Sequence, residues 1–217
     1  MTALVQPIQI NGKRSFSILQ LVVHILALIP VALLIWDAAH ANLTANPIQE
    51  ATYRTGQTAL VLLVASLAVT PVSSISGVSP LVKLRRPLGV YGFLYAAVHV
   101  FIFAILDYGM DLDLIRDTIM EKRYVLAGIA SFVLLLPLAL TSTKGWMKRL
   151  GKRWKKLHYL AYVAIPLGVI HYIWLIKADV RVPAQYAFIV TVLIVLRIPI
   201  VRHYFSGFRL RLSKRFR

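Results

Sequence analysis

Six long apolar stretches, divided by short segments that carry almost all the charge, set the pattern of this chain. They run Phe16–Trp36, Gln57–Ser76, Gly89–Tyr108, Tyr124–Thr141, His158–Ile176 and Gln185–Val201. Each is close to the ~20 mostly apolar residues needed to cross a bilayer core. Inside lipid the backbone must satisfy its own hydrogen bonds, so such runs are predicted to be helices. None shows the ~10-residue apolar/polar alternation of a membrane barrel strand. The expected fold is an all-α integral membrane protein, a six-transmembrane-helix bundle over residues 16–201 with tails at 1–15 and 202–217. The first stretch follows Lys13 and Arg14 and precedes Ala39-His40-Ala41, which resembles a small-residue cleavage site. It exceeds the ~7–15-residue core of a secretory signal and reads as an uncleaved anchor.

Charge then orients the bundle. Of the 25 Lys and Arg residues, eighteen fall in the N-terminal tail, the Gly77–Leu88 and Ser142–Leu157 loops and the tail after Val201. The alternate loops hold six, and Arg197 lies inside the last predicted span. All eight carboxylates (Asp37, Glu50, Asp107, Asp111, Asp113, Asp117, Glu121 and Asp179) sit in the poorly basic loops. Short cytoplasmic loops are the Lys/Arg-rich ones, so both termini are expected to be cytoplasmic. The same distribution turns a net charge of +17 away from nucleic acid and towards anionic lipid headgroups. Trp36, Tyr108, Tyr124, Trp146, Trp154, Tyr172, Trp174 and Tyr204 lie near span ends and read as interfacial anchors.

Composition narrows the chemistry. A hydrophobic fraction of 59% with 15% charged residues excludes an ordinary soluble domain, as does a mean hydropathy of +0.71. With no cysteine, disulfides, thiolate catalysis and iron–sulfur clusters are excluded. No segment outside the spans exceeds about 20 residues, so no flavin or nicotinamide domain is encoded. Neither GxGxxG nor GxxxxGK[ST] occurs, and no internal repeat is read.

Ionisable groups within a bilayer are costly and are functional candidates by default. Here they are histidines: His24, His99, His158 and His171 lie in or at the spans, whereas His40 and His203 do not. By helical rise His99 lies ~15 Å and His171 ~19 Å from the cytoplasmic edge, on spans running the same way. Two imidazoles at matching depth on facing helices can ligate a haem iron, one on each face. His158, thirteen residues before His171, is ~140° out of phase with it on a straight helix. Pro166 and Gly168 between them can change that phase. His158 reads either as a solvated interfacial imidazole or as a ligand towards the cytoplasm, with His24, ~12 Å deep, as its one intramembrane partner. His24 reads equally as an interhelical hydrogen bond. Arg197 either snorkels or meets a haem propionate.

Four stretches then point to a family. "NPIQEATYRTGQTAL", "LRRPLGVYGFLYAAVHV", "LALTSTKGWMKRLGKRWKKLHYLAYV" and "IHYIWLIK" resemble, in order, the MsrQ-type subunits of bacterial methionine sulfoxide reductase systems, within the ferric-reductase-like transmembrane group. The resemblance covers roughly residues 16–200. It implies a haem b protein of the inner membrane, with FMN also assigned to the family. It implies an electron-transfer subunit, rather than the catalytic one, carrying electrons from the quinone pool to a periplasmic molybdopterin enzyme that repairs oxidised methionine. By motif, the family's ligand histidines fall on His99, His158 and His171, the haem iron lying axially between His99 and His171. Span three lacks the second histidine of the wider group. Electrons must then arrive from quinol or from a separate flavin reductase, and the acidic Asp107–Arg123 loop would dock the acceptor.

Two other functions fit parts of the pattern. One is a stand-alone ferric- or quinone-reductase-like cytochrome b. The other is a non-redox scaffold or transporter whose histidines only join helices.

Overall fold

The computed structural model describes residues 8–10, 14–16, 18–176 and 178–198. Lys177, His203, the last residues of the sixth predicted span and the 202–217 tail lie outside the described residues. Two short strands, β1 (Ile8–Ile10) and β2 (Arg14–Phe16), pair antiparallel, with Gln9 opposite Ser15. The first predicted span thus loses Phe16 to a strand. The other elements among the described residues are helices.

The long helices are α1 (Ile18–Ala39), α2 (Pro47–Ser76), α3 (Arg85–Phe101), α5 (Arg123–Leu140), α8 (Ala161–Leu175) and α9 (Arg181–Val195). Between them lie α4 (Leu112–Glu121), α6 (Lys144–Leu150) and α7 (Lys152–Leu157). A 3₁₀ turn, Ser79–Leu84, leads into α3, and another, His158–Leu160, joins α7 to α8. A π turn over Ile102–Asp107 ends α3. Counting these extensions, five helical stretches are long and apolar enough to cross a membrane, and α9 is a shorter apolar helix.

The differences from the sequence reading have local causes. Hydropathy started the second span at Gln57, but α2 begins ten residues earlier. Asn46 caps it, its side-chain oxygen accepting the Gln49 N–H at 3.1 Å, with Pro47 in the first turn. The acidic loop folds as α4 because Asp111 caps it, accepting the Leu114 N–H at 3.0 Å. In the basic loop Thr143 caps α6. Gly77, at φ 77°, closes α2 in the left-handed region that suits glycine. Arg197 lies beyond the end of α9, in a turn rather than in the helix itself.

All the carboxylates lie at one end of the bundle, the acidic end, and the Lys/Arg-rich loops at the other, the basic end. At the acidic end Arg54 pairs with Asp37 at 2.6 Å and with Glu50 at 2.5 Å, tying α1 to α2. The core lies where α2, α5, α8 and α9 meet, around Leu60, Leu67, Leu135, Ile165, Val169 and Val190. α2 is central, whereas α1 turns Leu26, Leu33 and Ile35 outward. In a bilayer such apolar exteriors face acyl chains.

Prolines leave gaps in the helix ladders, and side chains fill them. Pro30 lies inside α1 and, lacking an N–H, removes one rung. At the next rung the Tyr95 hydroxyl stands between Val31 N–H, which donates to it at 3.0 Å, and the Ala27 carbonyl, to which it donates at 2.8 Å. One turn earlier on α3, Tyr91 hydroxyl and His24 Nδ1 meet at 3.0 Å. His24 is therefore used in joining α1 to α3. The expected cost of Tyr95→Phe is about 0.5–2 kcal/mol, with a smaller cost in a Pro30→Ala background. Unfolding of the detergent-solubilised protein checks this, and equal midpoints for wild type and Tyr95→Phe would show that the hydroxyl does not close the rung.

Candidate functional site

Two antiparallel helix pairs build the site: α3 packs along α2, and α8 along α5. His99 on α3 donates its Nδ1–H to the Thr52 carbonyl of α2 at 2.8 Å. His171 on α8 donates its Nδ1–H to the Tyr124 carbonyl at 2.6 Å, where α5 begins. A carbonyl can only accept, so the proton of each neutral ring sits on Nδ1 and Nε2 keeps its lone pair.

Glycine makes both contacts reachable. In an α-helix the carbonyl of residue i faces residue i+4. The residue four after Thr52 is Gly56, and four after Tyr124 is Gly128. A Cβ on Gly56 would lie 2.8 Å from His99 Nδ1, and one on Gly128 would lie 2.7 Å from His171 Nδ1. Both are closer than packed atoms tolerate. The missing side chain opens the second lone pair of the carbonyl to the imidazole.

The device occurs twice at one spacing, each histidine standing 47 residues after its carbonyl. The second set repeats the first at an offset of 72 residues: 52 to 124, 56 to 128 and 99 to 171. This corrects the reading that the chain has no internal repeat. The carbonyls act through backbone, so Thr52 and Tyr124 share no side-chain signature. Only the Gly-to-His interval recurs, and it could have been found by comparing spacings.

The rings meet across the bundle with centroids 6.1 Å apart and planes at 84°. They line a cleft of about 330 Å³, within the range of small-molecule sites. It runs from Asp107 and Tyr108 at the acidic end, past the histidines, to Leu63 and Leu135. Phe132 and Tyr172 also line it. Tyr108, Tyr124 and Tyr172, read from sequence as interfacial anchors, thus face the cleft. Tyr172 is buried, its hydroxyl 3.3 Å from that of Tyr53.

The other sequence candidates stand apart. His158 lies in the 3₁₀ turn at the basic end. Its Nδ1–H donates to the Trp154 carbonyl at 3.0 Å, and its ring lies 3.8 Å from the Trp154 indole. Among the described residues no second histidine ring meets it. His24 does not turn towards it, and His40 stacks on Trp36 at the acidic end. Nor do the described residues contain any group of three or more His, Asp or Glu spaced to hold a metal ion.

A model of the family described as ferric reductase like transmembrane component matches residues 55–169. A protein of Xanthomonas axonopodis pv. citri named protein-methionine-sulfoxide reductase heme-binding subunit MsrQ is 41% identical over 191 residues, covering 84% of this chain and 88% of that one. A protein of the same name from Xanthomonas oryzae pv. oryzae is 40% identical over the same shares. One from Caulobacter vibrioides is 38% identical over 170 residues, 78% of this chain and 81% of that one. No solved structure matches. The chain belongs to the ferric-reductase-like transmembrane family, and within it to the MsrQ type.

Proposed function

We propose that this chain is a haem b electron-transfer subunit of the bacterial inner membrane, serving a periplasmic molybdopterin-dependent methionine sulfoxide reductase that repairs oxidised envelope proteins. The observation that carries this reading is the His99–His171 pair, with Nε2 free on both rings and centroids 6.1 Å apart. A metal–imidazole bond of about 2 Å on each side, plus the distance from each nitrogen to its ring centre, accounts for such a gap. Two nitrogens fall short of the three or four protein ligands of a zinc site. A haem would need only two protein ligands, and His99 Nε2 and His171 Nε2 would supply them. One-electron redox chemistry is what that group supplies when bound.

The protein's own part is positioning. The two Nδ1–H bonds fix the tautomer and orientation of each ring and raise the basicity of Nε2. Phe132, Leu135 and Leu63 keep the inner reach of the cleft apolar, which limits water. His158, also with Nδ1 committed to a carbonyl, offers a further cofactor contact at the basic end.

Orientation supports the direction of transfer. We read both termini as cytoplasmic from the eighteen-to-six distribution of Lys and Arg. The acidic end then faces the periplasm, and the histidine pair lies in the outer half of the bundle. There α4 places Asp113, Asp117 and Glu121 four residues apart on one face, for a partner to dock against. The donor in this reading is membrane quinol or a separate flavin reductase. Quinone and FMN enter by family resemblance alone. The "heme-binding subunit" in the relatives' names supports the same reading.

A dithionite-reduced minus oxidised spectrum of the purified protein, with haem quantified per chain, is the direct test. A b-type signal is expected, lost in His99→Ala and in His171→Ala. Unchanged spectra in both variants would overturn the ligand assignment, and colourless wild-type protein from haem-replete cells would leave only the scaffold function. Gly56→Ala and Gly128→Ala should each weaken haem retention about 10- to 100-fold by displacing a ring. Gly145→Ala, which meets open space, should not. In membranes, deleting the periplasmic reductase should slow reoxidation of the reduced haem. A rate independent of that partner would favour a stand-alone cytochrome.

A further inference from the structure

Arg197 is built into the basic end of the bundle in a way that lipid snorkelling does not explain. Its Nη1 donates to the Tyr162 hydroxyl of α8, and its Nη2 to the Leu67 carbonyl of α2. Leu67 is 3% exposed, so the guanidinium points between helices rather than out to headgroups. The helical donor to the Leu67 carbonyl would be residue 71, which is a proline without an N–H. Arg197 supplies the missing hydrogen bond. That explains one nitrogen and leaves the charge.

Among the described residues no carboxylate pairs with it. The third nitrogen, Nε, is buried and has no hydrogen-bond partner among the described residues. Arg85, where α3 begins, is near enough to bear electrostatically on both Arg197 and His158, and it adds positive charge. Every side-chain carboxylate lies at the acidic end, and the sequence after Arg197 contains no Asp or Glu. A half-buried cation whose Nε is fully enclosed, with a second cation near it and no side-chain carboxylate at that end, is a costly arrangement unless something anionic enters.

The geometry points to an anion site in which Arg197, with Arg85 near it, binds the carboxylate or phosphate oxygens of an amphipathic ligand. Eleven residues of α2 separate Leu67 from Gly56, about 16 Å along the helix. The site is thus distinct from the histidine cleft. Two sources carry this chemistry, the propionate of a haem bound towards the basic end and the phosphate of an anionic lipid.

Four proteins test the site: wild type, Arg197→Gln, Pro71→Ala and the double variant. Pro71→Ala restores the backbone donor to Leu67, so adding Arg197→Gln to it removes the charge and the bond to the Tyr162 hydroxyl while the Leu67 carbonyl stays satisfied. In the first arm, delipidated protein is returned to phosphatidylcholine vesicles with or without phosphatidylglycerol, and unfolding midpoints are compared. A lipid phosphate predicts stabilisation by phosphatidylglycerol in wild type and Pro71→Ala that is absent in the double variant. In the second arm, protein is reconstituted with haem or with haem dimethyl ester, which lacks carboxylates. A propionate predicts roughly tenfold weaker retention of the ester by wild type and no difference for the double variant.

A response in either arm identifies the source. If wild type responds in neither, or the double variant matches Pro71→Ala in both, the anion site is refuted. The haem arm rests on the haem-binding function and the lipid arm does not. Colourless protein that still responds to phosphatidylglycerol would therefore overturn that function and leave this site standing.

Discussion

The Nδ1–H hydrogen bonds from His99 and His171 to backbone carbonyls hold the centre of this molecule. A lone imidazole in an apolar interior has two polar nitrogens to satisfy, and a free choice of tautomer would leave its orientation undefined. Committing Nδ1 to a carbonyl settles both matters and presents Nε2 in a defined direction. The rest of the bundle follows from that commitment. The accepting carbonyls must be open, which requires glycine at 56 and 128. Close approach at those glycines requires α3 to lie along α2 and α8 along α5. The cleft is the space left where the two pairs meet.

A second theme is how backbone is satisfied where water is scarce. Pro30 and Pro71 each remove a donor from a membrane helix, and the structure answers with side chains from elsewhere in the chain. Tyr95 bridges the rung that follows Pro30, and Arg197 reaches the carbonyl that Pro71 abandons. At the end of α5 the hydroxyls of Thr141 and Ser142 turn back to accepting carbonyls of their own helix, and the Trp154 indole N–H donates to the Thr141 carbonyl. In this way prolines become docking points between helices.

The membrane character, the apolar helices and the family were all legible in the sequence. Hydropathy has a large signal over ~20 residues, and the four motifs are ordered and specific. The pairing of His99 with His171 could be anticipated because depth follows from simple counting. Helix ends were less legible, since hydropathy ignores polar caps such as Asn46, Asp111 and Thr143. The roles of Tyr124 and Tyr172 were hidden because proximity to a span end does not reveal which way a ring turns. The duplicated cradle was hidden for a deeper reason. Its acceptors are carbonyls, which every residue carries, so only an interval between glycine and histidine records it.

That duplication bears on the order in which the protein can be assembled. Each histidine is oriented wholly within its own helix pair, and neither needs the other to be held in place. α2 and α3 are neighbours in sequence and can close as soon as both leave the ribosome. The α5–α8 pair follows once the basic segment between its helices has been made. The two histidine cradles can therefore be complete before the halves close on each other, and the cleft between the rings is the last part of the molecule to take shape.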